Sequence, residues 1–433
     1  MSTNLHPFGM RPLSTFERVL WLHDQVEPTH FSVSGLIVGA TTVEEWKMAL
    51  ASLQRRHPLF RVSIQTDENG VPFFQEEAGA AIPLRVVECI AEDQLEQEVA
   101  TEISTPFSSA STAPLVRATV LHEKKRSIVI LVAHHSIADG ISLAYAIRDL
   151  LHALAGNALE PLPVPPSNED LLGLAEEPVE SASSGTNGSI NSINPEFFRL
   201  VPRVASLRLS RKLTSDLRER AQLEGTSVHA ALLASIVFAA KELGVGSDRP
   251  QLNLASPIST RKMLDRKLRN QGDTCTMLTD IAMQDVSFPE SGDFWELARN
   301  IKADLAPQVS LERIAGSRME FRRMFANADA EAVVQMVRGH LHPDFMLSNL
   351  GDPALQTQAG KLRLEAVWGP AILMGIREDH QFLGAATANG RLSLLYSSYS
   401  PIPRLLETIE CTLAEHVEAV NASAVPPPMV LFR

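Results

Sequence analysis

Residues 127–140 read SIVILVAHHSIADG. The first seven carry no charge and are apolar on both alternating faces, which describes a strand covered on two sides. The residues that follow, ISLAYAIRDLLHAL, place Ile141, Ala144, Ile147, Leu151 and Leu154 on one stripe at helical spacing. Two imidazoles, a carboxylate and a glycine therefore stand at the corner where a buried strand gives way to a helix. Adjacent strand residues point to opposite faces. His134 and His135 then cannot line one cavity together: one faces a crevice and the other supports it. The same divergence, and the lack of an obvious third ligand, argues against a metal site.

Two readings of this corner stay open at the level of the residues. In the first, one histidine is a base, since a neutral imidazole accepts a proton from a hydroxyl or amine at cellular pH. Asp139 is then a second acceptor on that histidine or an anchor for the loop. Gly140 lets the chain turn tightly or lets a substrate approach the backbone. In the second, the pair is a satisfied set of core histidines at a strand end.

The rest of the chain says what kind of body carries this corner. A length of 433 residues exceeds one ordinary core and predicts two lobes. Residues 158–200 are rich first in proline, then in serine, glycine and asparagine, and predict a mobile connection between residues 1–157 and residues 201–433. In the first lobe, residues 42–55 predict a helix with a Thr42/Glu45 capping box and Val43, Trp46, Leu50 and Leu53 on one face. The Asp-Glu-Asn-Gly at 67–70 predicts a hairpin, and residues 114–121 pair with 127–133 across a polar HEKKR turn. In the second lobe, helices are predicted over 212–224, 228–243, 294–306 and 407–420, and strands over LNLASPIS, FMLSNLG, KLRLEAVWG and RLSLLYSSYS. The alternation of strands and helices in both halves gives an α/β class.

Charge and cysteine usage exclude some functions. With 39 Lys and Arg against 51 Asp and Glu, the net charge of −12 argues against a nucleic-acid partner. Cys89, Cys275 and Cys411 are far apart with no CxxC pair, which fits a reducing cytoplasm and no structural zinc. The first twenty residues lack a basic region followed by an apolar core, and no apolar run is long enough for a membrane span, so neither a secretory signal nor a span is expected.

HHSIADG resembles the HHxxxDG signature of the superfamily that includes chloramphenicol acetyltransferase, nonribosomal peptide condensation domains, plant BAHD acyltransferases and mycobacterial polyketide-associated acyltransferases. Further segments support the resemblance in the expected order: LQRRHPLFR (Arg56, His57, Pro58, Arg61), APLVRATVL (Pro114, Leu115, Arg117), SPISTR (Arg261) and FMLSNLG (Ser348, Asn349, Gly351). NQGDTCTM departs from the condensation-domain pattern after the arginine strand, and the DFGWG motif of the plant branch is absent from the sequence. The resemblance implies two similar chloramphenicol acetyltransferase-like lobes, each a mixed sheet with helices, with an active-site tunnel between them. It implies His135 as general base, His134 and Asp139 as supports of the loop beside Gly140, and an Asp139–Arg261 pair tying the lobes together. Ser348, Asn349 or a backbone N–H near Gly140 become candidates for binding substrate or an oxyanion. No tightly bound cofactor or metal is implied. The substrate is acyl-CoA or the phosphopantetheine thioester of an acyl carrier protein. The chain length is that of the standalone polyketide-associated enzymes, which favours transfer to a small-molecule alcohol over amide formation. A catalytically idle carrier-protein-binding protein is the remaining alternative.

Overall fold

The computed structural model describes residues 11–77, 79–88, 93–108, 110, 114–174, 201–246, 248–264, 273–290, 292–353, 355–373 and 379–418. The chain begins with β1 (Arg11–Pro12), α1 (Thr15–Asp24), β2 (Phe31–Val38), α2 (Val43–Arg56), β3 (Val62–Thr66), β4 (Pro72–Glu76), β5 (Leu84–Val87), α3 (Gln94–Ser104), β6 (Val116–His122), β7 (Arg126–Ala133) and α4 (Gly140–Leu154). It continues through α5 (Asn168–Leu172), β8 (Arg203–Arg208), α6 (Arg211–Leu223), α7 (Val228–Glu242), β9 (Gln251–Ser259), β10 (Thr279–Ser287), α8 (Phe294–Leu305), α9 (Leu311–Phe325) and α10 (Ala330–His340). It closes with β11 (Phe345–Asn349), β12 (Gln358–Ala359), β13 (Leu362–Ile372), β14 (Gln381–Ala388), β15 (Arg391–Ser398) and α11 (Leu405–Glu418).

Two mixed six-stranded sheets carry the fold, ordered β12-β13-β2-β7-β6-β5 and β10-β9-β11-β14-β15-β8, with a small β1-β4-β3 sheet beside the first. The fold class read from the sequence holds. β7 lies inside the first sheet, antiparallel to β2 and β6. Its Val129, Leu131 and Ala133 join the main core, while Ile128, Ile130 and Val132 join a second cluster with Leu95, Val99 and Ile103 of α3. Both faces are covered, as the apolar run requires, and each fully buried aliphatic side chain contributes on the order of 1.5–3 kcal/mol. Helix α4 starts where Asp139 caps it: the carboxylate accepts the Ser142 N–H at 2.9 Å. Its Leu143, Ala144, Ile147, Leu150 and Leu151 are buried against that core.

Three expectations need correction. The lobes are not consecutive in sequence: β13, from the second half, pairs antiparallel with β2 and brings β12 with it into the first sheet. Residues 201–433 therefore do not make the second lobe alone. Part of the expected linker is docked. The Ser167 hydroxyl caps α5, the Glu169 carboxylate accepts the Thr15 N–H, and Leu171 packs on Leu264 and Leu278. The Arg11 guanidinium also holds the Pro165 carbonyl at 2.9 Å. The remainder of that expected linker, 175–200, lies outside the described residues. Val43, placed on the buried face of α2, is instead 36% exposed, while Trp46, Leu50 and Leu53 are buried.

The crossover forces close backbone contact between the sheets. A Cβ on Gly384 of β14 would stand 2.6 Å from the Pro370 nitrogen of β13. No side-chain rearrangement relieves a clash with backbone. Gly384→Ala should therefore lower stability by about 1–3 kcal/mol, the usual cost of overpacking. The check is the denaturant midpoint, and a midpoint equal to that of the parent chain would mean that the two strands separate freely.

Among the described residues, no single helix is long and apolar enough to cross a membrane.

Candidate active site

Strand β7 and helix α4 fix the two ends of the HHSIADG loop, so the side chains between them have little freedom. The His134 N–H donates to the Leu115 carbonyl at 2.9 Å, and the Ile137 N–H to the His134 carbonyl at 3.1 Å. The two imidazoles then part company. His134 is fully buried; its Nδ1 accepts from the Ser136 backbone N–H at 3.2 Å and lies 2.8 Å from the Ser136 hydroxyl. Its Nε2 lies 3.3 Å from the Asp24 carboxylate at the end of α1. His135 turns the other way and lines a cavity of about 300 Å³ between the two lobes.

The tautomer of His135 follows from its partner. Nδ1 stands 2.9 Å from the Ala138 carbonyl, which can only accept, so Nδ1 carries the hydrogen and Nε2 keeps a lone pair. Burial holds the ring below the ordinary imidazole range, outweighing the opposing pull of the Ala138 carbonyl and of Asp139. Its flank is packed on Phe31, with ring centroids 4.5 Å apart. The result is a neutral, oriented imidazole in the wall of the cavity.

Asp139 is an anchor. Its Oδ1 accepts the Ser142 N–H at 2.9 Å and the Ser142 hydroxyl at 2.8 Å. Its Oδ2 accepts Arg261 Nη1 at 2.5 Å, the Leu278 N–H at 3.0 Å and the Thr279 hydroxyl at 3.2 Å. Burial alone would push this carboxyl up, but Arg261 and the N–H donors hold it below the usual carboxylate range. The alternative in which Asp139 accepts from the histidine does not describe the structure, because both oxygens are engaged by these other donors. Arg261 also donates to the Ser142 hydroxyl at 2.9 Å and the Thr276 carbonyl at 3.1 Å, so the pair ties α4 to the strand end after β9.

The remaining expected residues divide. Gly140 lines the cavity, but as a close-approach position rather than a left-handed turn: a Cβ there would stand 2.7 Å from Leu350 Cδ2 and 3.3 Å from Pro370 Cγ. Ser348 of β11 lines the cavity as well. Asn349 is not among the residues lining it; its Oδ1 accepts the Gly351 N–H at 2.8 Å and shapes the turn after β11. This corrects the expectation that Asn349 binds substrate. His57, from the RHP segment, is buried against Asp149 at 2.9 Å, and Arg56 reaches the same carboxylate at 2.7 Å. That segment braces α2 against α4.

Several residues of the site left no mark in the reading of the sequence. Asp24 is the partner of His134; the neighbouring His134 and His30 and the Thr29 N–H hold it far below the usual carboxylate range despite burial. Helices α1, α9 and α10 supply much of the cavity wall, through residues such as Phe16, Leu20, Phe321, Met324 and Met336. One signal for α1 was present: Ser14 and Glu17 form a capping box ahead of an apolar run, and both caps are made. Among the described residues, no group of three or more His, Cys, Asp or Glu side chains is placed to hold a metal ion.

Comparison with known proteins places this geometry. The family described as "Condensation domain" matches residues 9–170, and that described as "Phthiocerol/phthiodiolone dimycocerosyl transferase C-terminus" matches residues 199–397. Surfactin synthase subunit 2 of Bacillus subtilis is 30% identical over 155 residues, which is 35% of this chain and 4% of that protein. Chondramide synthase of Chondromyces crocatus is 27% identical over 282 residues, 58% of this chain and 7% of that protein. The chain thus corresponds to a small fraction of the length of these relatives. Among solved structures, polyketide synthase associated protein 5 from Mycobacterium tuberculosis superposes with a TM-score of 0.62 at 16% identity, over 95% of this chain and 98% of that one. The first condensation domain of the CDA synthetase gives a TM-score of 0.65 at 15% identity, over 95% and 97%. At these identities the structural likeness speaks for the fold.

Proposed function

The chain belongs to the condensation-domain and chloramphenicol acetyltransferase-like superfamily, and from that premise we propose that it transfers an acyl group from a thioester to an acceptor hydroxyl with His135 as the base. The observation that carries the reading is the state of His135: a neutral ring with Nδ1 committed to the Ala138 carbonyl and a lone pair on Nε2, in the wall of a cavity shared by both lobes. In the step, the hydroxyl proton passes to Nε2 as the oxygen attacks the thioester carbonyl. The new C–O bond forms, the C–S bond breaks, and the imidazolium returns its proton to the departing thiolate. The developing oxyanion needs donors, for which the Ser348 hydroxyl and the backbone at the N-terminus of α4 near Gly140 are suited. The activated thioester makes a covalent enzyme intermediate unnecessary, and no step calls for a metal or a tightly bound cofactor. The donor is acyl-CoA or an acyl carrier protein, and a carrier protein is the partner favoured by the likeness to condensation domains.

Amide formation is the second reading, supported by the similarity of this chain to parts of peptide synthetases. The choice of an ester rests on the match of residues 199–397 to a family of dimycocerosyl transferases. Purified protein given acyl thioesters with mixed alcohols and amines separates the two; products exclusively on amines would reject the ester reading. The pH profile of kcat/KM is a further test. A base works when neutral, so the rate should climb as pH rises through the pKa of His135. Burial lowers that pKa, which places the acid limb below the ordinary imidazole value of about 6.5. An acid limb above that value would assign the base elsewhere.

A further inference from the structure

We propose that the seam between the two sheets holds a binding site for a phosphate dianion, built from Arg208 of β8, Arg211 of α6, Arg363 of β13 and Arg391 of β15. The site lies apart from the cavity. None of these residues lines it, and Glu365, which three of them share, precedes Pro370 of the cavity wall by roughly 16 Å of strand. The inference does not depend on the acyl-transfer reading.

The chain as a whole is acidic, with 39 Lys and Arg against 51 Asp and Glu, yet four guanidinium groups meet here around one carboxylate. Glu365 Oε1 lies 3.1 Å from Arg208 Nη2 and 3.6 Å from Arg211 Nη2, and its Oε2 lies 3.0 Å from Arg363 Nε. Asn389 Nδ2 donates to the same Oε2 at 2.9 Å. Arg391 makes no ion pair among the described residues; its Nε and Nη2 donate to the carbonyls of Leu209 at 2.9 Å and Arg208 at 3.4 Å. The cluster therefore carries a surplus of positive charge. Arg208 registers it: burial and the neighbouring Arg391 pull its guanidinium below the ordinary value, although Glu365 opposes them. Guanidinium groups drawn together in this way gain from an anion set between them.

Donors remain for that anion. Among the described residues, Nε and Nη1 of Arg208, both Nη atoms of Arg363 and Nη1 of Arg391 have no protein partner, and Arg208 Nε is buried as well. A guanidinium presents its N–H groups in a planar fork, the geometry that phosphate oxygens accept in pairs. The scaffold is fixed before a ligand arrives. The β14–β15 turn is Asn389-Gly390, with φ of 51° and 71° as a two-residue hairpin requires, and Arg211 donates to the Asn389 carbonyl. Arg208 donates across the seam to the Glu365 carbonyl. Helix α6 starts at Arg211, so the positive end of its dipole adds to the field. Arg363 belongs to the first sheet, and Arg208 and Arg391 to the second. A bound dianion therefore ties the lobes together, in addition to the Asp139–Arg261 pair.

The phosphate arrives free or as the ester of a larger molecule such as coenzyme A. Calorimetric titration of the full chain with inorganic phosphate, at mildly alkaline pH, should give saturable binding. Phosphate should also raise the melting temperature where chloride of equal ionic strength does not. Arg363→Gln and Arg391→Gln should each weaken phosphate about tenfold, the usual worth of one charge-assisted hydrogen bond. The Arg363 side chain is 49% exposed, so its variant keeps the fold even where Arg391→Gln does not. Glu365→Gln removes the competing carboxylate and should tighten binding. Arg218→Gln, at an exposed arginine outside the cluster, should leave the affinity unchanged. Titrations with coenzyme A and with phosphate-free pantetheine assign the source. If the cluster variants weaken coenzyme A but not pantetheine, the site holds a phosphate of the thioester donor. If they weaken inorganic phosphate alone, it is a site for the free anion, and either result sustains it. Absence of saturable phosphate binding to the parent chain, or cluster variants that bind phosphate as tightly as the parent, would overturn it.

Discussion

Replacing His135 by alanine is expected to lower kcat/KM for acyl transfer by about 10²–10⁴-fold, the usual contribution of a positioned general base, while the protein stays folded. His135 is half-buried on a cavity wall, and its loss enlarges a space that already exists rather than opening a new one in the core. His134→Ala should behave in the opposite way. That ring is fully buried, and removing it leaves the Asp24 carboxylate, 3.3 Å away, without its imidazole partner. The Asp24 carboxylate keeps the Thr29 N–H at 2.7 Å, but the variant also empties a fully buried site at the end of β7, and such large-to-small changes typically cost about 2–5 kcal/mol, so the melting temperature should fall markedly. Activity assays and thermal melts on the two variants form one experiment. Near-normal turnover in His135→Ala would place the base elsewhere, and a His134 variant as stable as the parent chain would remove the supporting role from that residue.

Asp139→Ala and Arg261→Ala should each destabilise the protein by about 3–5 kcal/mol, the cost of breaking a buried pair from one side. The two residues are 122 positions apart and meet at 2.5 Å, with side chains 2% and 12% exposed. Asp139 also receives four other hydrogen bonds, from the Ser142 and Leu278 N–H groups and the Ser142 and Thr279 hydroxyls. Its loss should therefore exceed that of Arg261. A double-mutant cycle should give a coupling of a kcal/mol or more, and additive single effects would reject the pairing. The contribution also has a pH signature. The folded pKa of Asp139 is depressed, so its stabilisation is fully present above the unfolded value of about 3.9 and is lost as pH falls through the folded pKa. Asp139→Asn should flatten that part of the acid-unfolding curve.

Much of the local architecture was legible because its causes are local. The uncharged run at 127–133 can only be satisfied by cover on both faces, and β7 has it. The Thr42/Glu45 box caps α2, and the Asp-Glu-Asn-Gly turn joins β3 to β4. Each depends on residues within a few positions of one another, where spacing is geometry. The motif at 134–140 also fixed, by the divergence of neighbouring side chains, that its two histidines part. Which of them faces the cavity came from the resemblance, and the structure turns His135 to it.

What spacing could not carry is decided by contacts between distant segments. β13 leaves its own half of the chain to pair with β2, some 330 positions away, because the sheet edge and the close approach at Gly384 accept it there. Proline-rich composition suggested a loose linker, yet α5 docks through Leu171 and Glu169 on surfaces that only the folded lobes provide. Asn349 sits within a matching motif, but the turn after β11 claims its side chain. The cavity wall on α9 was hidden in the sequence because Arg313, Arg318, Arg322 and Arg323 interrupt the apolar positions. In the structure Arg318 is buried and matched by the Thr279 carbonyl and by Asp280, partners the sequence keeps some forty positions away. Periodicity and capping act over a few residues and can be read along the chain. Charge pairing, crossover and enclosure depend on which surfaces meet once the chain has closed on itself, so the site's chemistry was written in one heptapeptide and its shape only in the tertiary fold.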